Sequence, residues 1–324
     1  MKYNDFLAVL QQELKSYLDA RNFDGAVNVR KVLKNNGVEL DALMAIRTGY
    51  KAAPTIYLNC YYDEYKSGKS INEIIEEIYS MFSRKLGDVE FDIEEFTDFE
   101  KIKSKIAYKV INTEKNKKLL KKVPHIDILD LSVVFYCIVK CDKNENATTL
   151  IYDHHANMWN VTTEELYEIA KENTPKLLPY EIKSMEDIIM EMICEKNCFE
   201  VNENGEYNGE ETENLTSMIM EELKKADEPK MYVLTNVYRL NGAVAMLYDG
   251  VLREFANKQQ KDIIILPSSV HEVIIIPIEN NMTPKEFDSI INEVNNEEVI
   301  PEEILSDHAY MYVRSVDEII IPTE

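Results

Sequence analysis

Glycine is scarce in this chain, with nine in 324 residues. Neither G-x-G-x-x-G nor a complete Walker-type G-x-x-x-x-G-K-S/T loop occurs. This argues against the commonest nucleotide sites, because both motifs need glycine where backbone amides approach phosphate. Long apolar runs are missing too. The longest candidates, Ile263 to Leu266 and Val273 to Ile278, have strand length and fall well short of the roughly 18–20 residues that span a bilayer. Met1-Lys2-Tyr3-Asn4-Asp5-Phe6 leads directly into an amphipathic pattern, without the apolar stretch of a secretory signal. The expectation is a cytoplasmic protein with no membrane contact.

Cysteine is sparse. Cys60, Cys137, Cys141, Cys194 and Cys198 are five scattered thiols, an odd number in a chain large enough to fold without covalent staples, which fits a reducing compartment. Two C-x3-C spacings invite a zinc reading. Cys137 and Cys141 fall in a predicted strand, where residues four apart lie about 13 Å from each other, too far to share one tetrahedral ion. Cys194 and Cys198 straddle an expected helix end and have no identified second ligand pair. No metal and no cofactor are expected.

Positive charge is also in short supply, 36 Lys and Arg against 59 Asp and Glu, for a net −23. Such a surface repels phosphate backbones and anionic lipid, so direct nucleic-acid binding is not expected. The deficit is uneven. Nine lysines face one acid, Glu114, between Lys101 and Lys122, whereas residues 180–230 hold fifteen acids against five lysines. Either run can be solvated surface; the sharper reading is a docking face for a charged protein partner.

The patterns that are present describe an α+β fold. Leu7, Leu10, Leu14, Tyr17 and Leu18 recur at helical spacing. Val27 to Lys34, the turn Asn35-Asn36-Gly37, and alternating Val38, Leu40, Ala42, Met44 and Ile46 read as a β-hairpin. Ile56 to Tyr62, aromatic-rich, reads as a strand or a first helical turn, with helix the preferred reading. Ser70-x-x-Glu73 is a capping box followed by Ile71, Ile74, Ile75, Ile78 and Phe82 on one face. Residues 94–105 are expected to be helical, and a Lys-rich helix is expected from an Asn112 cap to about Lys122. Leu131 to Val139 is nearly unbroken apolar, as in a strand covered on both faces, and Thr148 to Tyr152 follows as a second strand. Thr162-x-x-Glu165 caps a helix expected to end before Pro175, and Ser184-x-x-Asp187 starts another. Later come a strand from Met231 to about Tyr238, a helix from Gly242 to about Lys258, and strands at Ile263 to Leu266 and Val273 to Ile278 joined by Pro267 to His271. A helix begins at Thr283-Pro284 with Phe287, Ile290, Ile291 and Val294 on one face. Strands at Tyr310 to Val313 and Glu318 to Ile321 close the chain.

Three stretches thus repeat one plan: paired β segments, a polar connection, then a helix capped at Ser70, Thr162 or Thr283. The expected architecture is α+β, with mixed or antiparallel sheets each covered by capped amphipathic helices and built from strand-hairpin-helix units. Residues 199–213 are rich in Glu, Asn and Gly and read as an acidic mobile loop. They divide an N-terminal domain, 1–198, with a sub-boundary expected near 90–125, from a C-terminal domain, 214–324.

The Asn-Gly hairpin, Ala53-Pro54-Thr55-Ile56-Tyr57-Leu58 with Tyr61-Tyr62, Asp130 to Tyr136, Trp159 followed by Glu164-Glu165-Leu166-Tyr167, and Leu266 to Val273 together carry a resemblance. The chain resembles, nearly end to end, an uncharacterised family of anaerobic, gut-associated Gram-positive bacteria. Its strand plus Thr-x-x-Glu-Leu helix unit is faintly similar to a second uncharacterised bacterial family. These likenesses imply a cytoplasmic bacterial setting and no mechanism.

Ser268, Ser269, His271 and Glu272 form the densest polar cluster, between two very apolar strands. A serine nucleophile there needs a base within about 3 Å, and the G-x-S-x-G elbow that commonly prepares an oxyanion hole is missing. Position 275 is Ile, so His271-Glu272 is not the zinc-peptidase pair. The same side chains can instead satisfy turn backbone. Asp153-His154-His155 offers ligand-type groups at an expected strand end, where neighbours point to opposite sides. Asn59, Tyr61, Tyr62 and Tyr65 can line a ligand groove or pack as core and rim. No assigned activity follows. The leading expectation is a non-enzymatic acidic binding or regulatory protein that docks a macromolecule. Two alternatives are a hydrolase of unrecognised type using the 268–272 loop and an acidic decoy of nucleic acid.

Overall fold

The computed structural model describes residues 1–48, 55–88, 93–141, 146–199, 229–278 and 285–322. Its fold class is α+β, with three antiparallel sheets among the described residues.

The first sheet is β1 (Gly25–Leu33), β2 (Glu39–Arg47) and β3 (Thr55–Tyr57). Helix α1 (Tyr3–Asp19) and helix α3 (Ile71–Asp88) supply its apolar cover. Phe6, Leu10, Leu14 and Leu18 of α1, with Ile74, Ile75, Ile78 and Phe82 of α3, are buried against Leu43, Ala45 and Ile56. Each such side chain removed from water stabilises the unit by about 1.5–3 kcal/mol before entropy is counted. The Ser70 box closes as expected: the Ser70 amide donates to Glu73 Oε2 at 2.8 Å and the Glu73 amide to Ser70 Oγ at 3.3 Å. The segment read as strand or helix, with helix preferred, is both in turn. β3 ends at Tyr57, and helix α2 (Asn59–Lys66) begins after Leu58, whose amide donates to Asp41 O.

The second sheet centres on β6 (Leu131–Cys141), flanked on one edge by β4 (Ile106–Asn112) and on the other by β5 (His125–Ile128) and β7 (Asn146–Leu150). The third has the order β13-β12-β10-β11-β9-β8, made of β8 (Tyr180–Ser184), β9 (Tyr232–Asn236), β10 (Ile263–Ser269), β11 (Glu272–Pro277), β12 (Tyr310–Val313) and β13 (Glu318–Ile320). One continuous core joins these two sheets. Tyr108, Val110, Val133 and Phe135 meet Leu234, Ile263, Ile265, Val273, Ile275 and Tyr310 through a 3-10 segment, Gly242–Leu247. The boundary expected at 199–213 lies outside the described residues, and β8 before it pairs with β9 after it.

Helix α8 (Thr163–Leu177) covers β4, and its Thr162 box is present. It runs past Pro175 rather than ending before it. The imide deprives only the carbonyl of Lys171, an exposed residue, of its helical donor, and buried Thr174 adds a hydroxyl bond to Ala170 O. Before α8, helix α7 (Asp153–Trp159) occupies the stretch read as a strand end. Helix α9 (Met185–Phe199) starts at the Ser184 cap, the Asp187 amide donating to Ser184 Oγ at 3.1 Å.

Other expectations need correction. Residues 94–105 form two short helices, α4 (Ile93–Thr97) and α5 (Phe99–Ile102), and a 3-10 turn. The helix expected from Asn112 is only α6 (Lys117–Leu120), and β4 takes up the chain before it. Asn112 Oδ1 accepts from the Lys115 amide, a local turn and not a helix cap. The expected helix from Gly242 breaks at Gly250, where φ is +81°, into the 3-10 segment and helix α10 (Val251–Gln259). Strand β10 continues through Pro267 to Ser269 with a register shift after Leu266, so the turn to β11 is Val270-His271 alone. Helix α11 (Lys285–Glu297) turns Phe287, Ile291 and Asn295 inward and leaves Ile290 and Val294 about half exposed, against the single stripe expected of it. Thr283 and Pro284 lie outside the described residues.

Candidate binding groove

The hairpin tip meets both the turn after β4 and the 301–304 segment that precedes β12. Asn36 and Gly37 adopt φ of +58° and +72°, conformations that Asn and Gly tolerate best, and this bend drives the tip against the turn after β4. The Asn36 amide donates to Asn116 Oδ1 at 2.8 Å, and Asn116 Nδ2 donates back to Asn36 Oδ1 at 2.9 Å and to Asn112 O at 2.8 Å. On the other side Asn36 Nδ2 donates to Pro301 O and Ile304 O, Asn35 Nδ2 to Glu302 O, and Asn112 Nδ2 to Leu305 O. Asp130 anchors the far end, accepting from Ser306 Oγ and Tyr310 Oη at 2.6 Å each. Burial, and next the Asp130 charge, hold the Tyr310 phenol far above its ordinary pKa, so it stays a donor.

Beside this junction runs a groove of about 220 Å³, lined by Leu33 and Gly37 of the hairpin and by residues 114–119. Its charge is inverted relative to the chain. Lys115, Lys117 and Lys118 line it against one glutamate, Glu114, which pairs with Lys117. Lys115 reaches Asp307 at 3.0 Å. Lys118 and the following Lys121 and Lys122 are exposed, with no carboxylate in salt-bridge range among the described residues. The lysine run noted in the sequence is therefore partly neutralised at Lys101, Lys105, Lys115 and Lys117 and open at its C-terminal end.

Lys109 of β4 sits on the face of the second sheet opposite the main core. Its neighbours on that face split into Ala107 and Tyr136 on one side and Ile111 and Val134 on the other. Its Nζ stands 5.9 Å from the Tyr136 ring centre. Burial and then the nearby Lys34 ammonium pull its pKa down from 10.5 to about 8. The Lys34 ammonium donates to Tyr57 Oη at 3.2 Å and lies 4.3 Å from that ring's centre. The Tyr136 hydroxyl is sealed beside the Asn241 side chain, without a hydrogen bond of standard geometry among the described residues.

The residues singled out from the sequence are placed as follows. His271 Nδ1 accepts from the Asn241 amide at 3.2 Å, and its Nε2 faces Glu303 at 3.4 Å. Ser269 Oγ accepts from the His271 amide at 3.0 Å. The imidazole is thus joined to the Asn241 backbone and to Glu303, and no hydrogen bond links it to Ser268 or Ser269. Glu272 opens β11. Asn59 Oδ1 accepts from the Asp41 amide, Tyr61 is buried with its phenol pushed up to about 12 by burial and then Glu77, and Tyr62 donates to Met1 O. Tyr62, Tyr65, Tyr3 and Phe6 pack edge and face around the α1 start. Gly68-Lys69-Ser70 is the tail of a phosphate-loop motif without its first glycine, and Lys69 is held by Glu64 and Glu77.

His154 and His155 do come together, ring centres 3.9 Å apart, because they open α7 rather than end a strand. His155 Nδ1 accepts from the Tyr152 amide, and its ring packs on Phe96 and Trp159. Burial and then His154 hold its pKa down at about 4. No third metal-ligating side chain joins them among the described residues. Cys137 and Cys141 lie in β6 as expected, and the side chains of Cys194 and Cys198 are outside the described residues. No helix among the described residues is long and apolar enough to cross a membrane.

Two features escaped the sequence reading, the Asn36–Asn116 clasp and the setting of Lys109. The clasp joins positions 80 apart, and only its hairpin half carries a local signal. A lone lysine inside Ile-Ala-Tyr-Lys-Val-Ile could have raised the question of a strand with one buried cation.

The profile of a family described as "Family of unknown function (DUF5688)" matches residues 3–314. No curated protein and no solved structure matches the chain.

Proposed function

We propose, for a chain that belongs to the DUF5688 family of unknown function, a binding or regulatory role in which the lysine-lined groove docks an acidic segment of a macromolecular partner. The carrying observation is the inversion of sign. On a protein of net charge −23, a groove of about 220 Å³ is lined by three lysines and one glutamate beside the asparagine junction; Lys115 is paired with Asp307 and Lys117 with Glu114, and Lys118, with Lys121 and Lys122 after it, is left without a carboxylate among the described residues. Long-range repulsion keeps most acidic surfaces away, while a locally positive concavity focuses attraction onto one place, which favours selectivity over raw affinity. The groove walls are fixed by the Asn36–Asn116 clasp, so little ordering entropy is lost when a segment enters. This reading takes the protein to be cytoplasmic and bacterial, and it involves no catalysis at Ser268, Ser269 or His271.

The test is direct. A fluorescent glutamate-rich peptide is titrated against the full chain at low and high salt, beside the double variant Lys117→Glu, Lys118→Glu. Binding that weakens with salt and drops at least about tenfold in the variant is expected. Equal binding by wild type and variant, or none by wild type at low salt, refutes the groove as the docking site.

A further inference from the structure

We propose that the free edge of β1 between Val29 and Leu33 is a strand-addition site for an extended acidic segment of a partner protein. Strand β1 ends its sheet and pairs with β2 alone. Two bonds at the ends of that ladder fix which backbone groups the pairing uses. The Lys34 amide donates to Val38 O at 2.7 Å, and the Thr48 amide donates to Asp24 O at 2.9 Å. The register keeps one phase throughout, with Gly25 opposite Arg47 and Leu33 opposite Glu39, so Ala26, Asn28, Arg30 and Val32 exchange bonds with β2. The amides and carbonyls of Val27, Val29, Lys31 and Leu33 therefore point away from the sheet. Two further bonds agree with this phase. On β2, Asp41 turns its carbonyl toward β3 and accepts from the Leu58 amide at 2.8 Å, and Val27 O accepts from Gln11 Nε2 of α1 at 3.3 Å. Helix α1 thus reaches the edge at Val27, and no strand takes it from Val29 to Leu33.

The charge of this edge names its occupant. Residues 25–38 contain Arg30, Lys31 and Lys34 and no Asp or Glu, in a chain of 59 acids. Arg30 and Lys31 are exposed, and neither is paired with a carboxylate among the described residues. Basic side chains on an edge strand guard it against a like strand. A second copy pairing over the same open stretch, antiparallel about a two-fold axis at its midpoint, sets Lys31 against its own counterpart, and like charges directly opposite are destabilising. The same cations favour an incoming strand with Glu or Asp opposite Arg30 and Lys31. Opposite Val29, whose side chain packs against the core of the first sheet, that strand gains from an apolar residue. Main-chain bonds then supply affinity and the side chains supply selectivity. Because β2 holds all nine residues of β1 in register, the edge is ordered before the segment arrives, and the ordering cost falls on the segment.

Leu33 also lines the groove, so the two sites adjoin, but this one uses neither Lys117 nor Lys118 and does not rest on the groove reading. The probe is a synthetic peptide of about ten residues built around Val-Thr-Glu-Glu-Val, a length that covers the open edge. In an antiparallel strand this sets Val opposite Leu33 and Val29 and Glu opposite Lys31 and Arg30. Two further versions are N-methylated, one on the alternate amides that face β1 and one on the intervening amides. The unmodified peptide is expected to bind the full chain and to slow hydrogen exchange at the Val29, Lys31 and Leu33 amides. Methylation of the facing amides should weaken it at least about tenfold, and methylation of the intervening ones far less. Lys31→Pro removes an outward amide and one charge without touching the bonds to β2, and it should also weaken binding at least about tenfold, as should Arg30→Glu with Lys31→Glu. The Lys117→Glu, Lys118→Glu variant should bind this peptide within about threefold of wild type. Equal binding of the two methylated versions, unchanged exchange at the three amides, or full binding by the Arg30→Glu, Lys31→Glu variant overturns the site. A loss in the Lys117→Glu, Lys118→Glu variant as large as in the Arg30→Glu, Lys31→Glu variant assigns the peptide to the groove and overturns the edge. Sedimentation of the free chain showing a dimer that Lys31→Pro abolishes gives the edge to a second copy and overturns the acidic occupant. Folding is checked by circular dichroism, and the Arg30→Glu, Lys31→Glu variant, which changes only exposed side chains, decides the matter where Lys31→Pro fails to fold.

Discussion

Asn36 and Asn116 hold each other reciprocally. The backbone amide of the first donates to the side-chain oxygen of the second at 2.8 Å, and the side-chain amide of the second donates to the side-chain oxygen of the first at 2.9 Å. Asn116 is 1% exposed, so water cannot substitute for either bond. The pair is the point where the α1–β1–β2 unit is fastened to the rest of the chain, because the other side of Asn36 is bonded to the carbonyls of Pro301 and Ile304.

Removing that fastening has a defined cost. Asn116→Ala deletes three hydrogen bonds and strands the Asn36 amide, and a loss of about 2–4 kcal/mol in urea unfolding is expected. Asn36→Gly keeps the positive φ but loses the side-chain bonds, and should cost about 1–2 kcal/mol. A change under about 0.5 kcal/mol in the alanine variant would show that the clasp does not hold the sheets together.

Lys109 yields the opposite sign. Its pKa falls from 10.5 to about 8, so at pH 7 it is charged in both folded and unfolded chains but more costly to charge in the fold. Between pH 8 and 10.5 the unfolded chain binds more protons than the native one, and stability rises with pH across that window. Lys109→Met should therefore stabilise the protein at pH 7 by about 2 kcal/mol. Its advantage should shrink toward pH 10.5. Chemical denaturation at pH 7, 9 and 10.5 checks both the sign and the trend.

His155 sets an acid limit. As a base whose folded pKa is about 4, below the usual 6.5, it contributes stability that is complete above pH 6.5 and is lost as the pH falls through 4. The loss should amount to about 2 kcal/mol after allowance for partial exposure. His155→Gln removes the titration and keeps an acceptor for the Tyr152 amide at the third helical position. The variant should lose less stability than wild type between pH 6.5 and 4. Parallel losses would place the acid sensitivity elsewhere.

How much of this was legible in the sequence depends on where each signal resided. Helices α1, α3 and α8 announced themselves because their stripes and caps are local, and β6 because nothing polar interrupts its centre. β4 was hidden by the lysines around it, whose spacing mimics a solvated helix while Tyr108 and Val110 face the core. β5 and β8 were missed for a different reason: they have four and five residues, none of them buried, and a strand stabilised by its neighbours carries little pattern of its own. The α11 stripe was overread because Asn295, not Val294, is the inward position, satisfied by Ser306 O and Asp307. At the site, the lysine run was visible as charge. That Lys109 alone among those lysines turns into a desolvated seam, and that Asn36 finds Asn116, are facts of tertiary pairing that periodicity does not encode.

Gly242 offers the sharpest test of the loop that holds Ser269 and His271. A Cβ there would stand 2.2 Å from Thr235 Oγ1 and 2.4 Å from His271 O, both far inside contact distance. Thr235 Oγ1 also donates to that same carbonyl at 2.7 Å, so β9, the 3-10 segment and the β10–β11 turn converge on one point. Gly242→Ala should cost about 2–4 kcal/mol by overpacking. One side-chain clash and two backbone ones, the second with the Asn236 nitrogen at 2.9 Å, separate side chain from backbone as the source. Adding Thr235→Ala clears the hydroxyl but leaves the His271 carbonyl and the Asn236 nitrogen, and it also removes the hydroxyl's hydrogen bond. If the backbone clash dominates, as the fixed register of β9 with β11 implies, the double variant is no more stable than Gly242→Ala alone. Recovery of most of the lost stability in the double variant would instead locate the conflict in Thr235, and the turn that carries His271 would then be softer than its hydrogen bonds to Asn241 and Glu303 indicate.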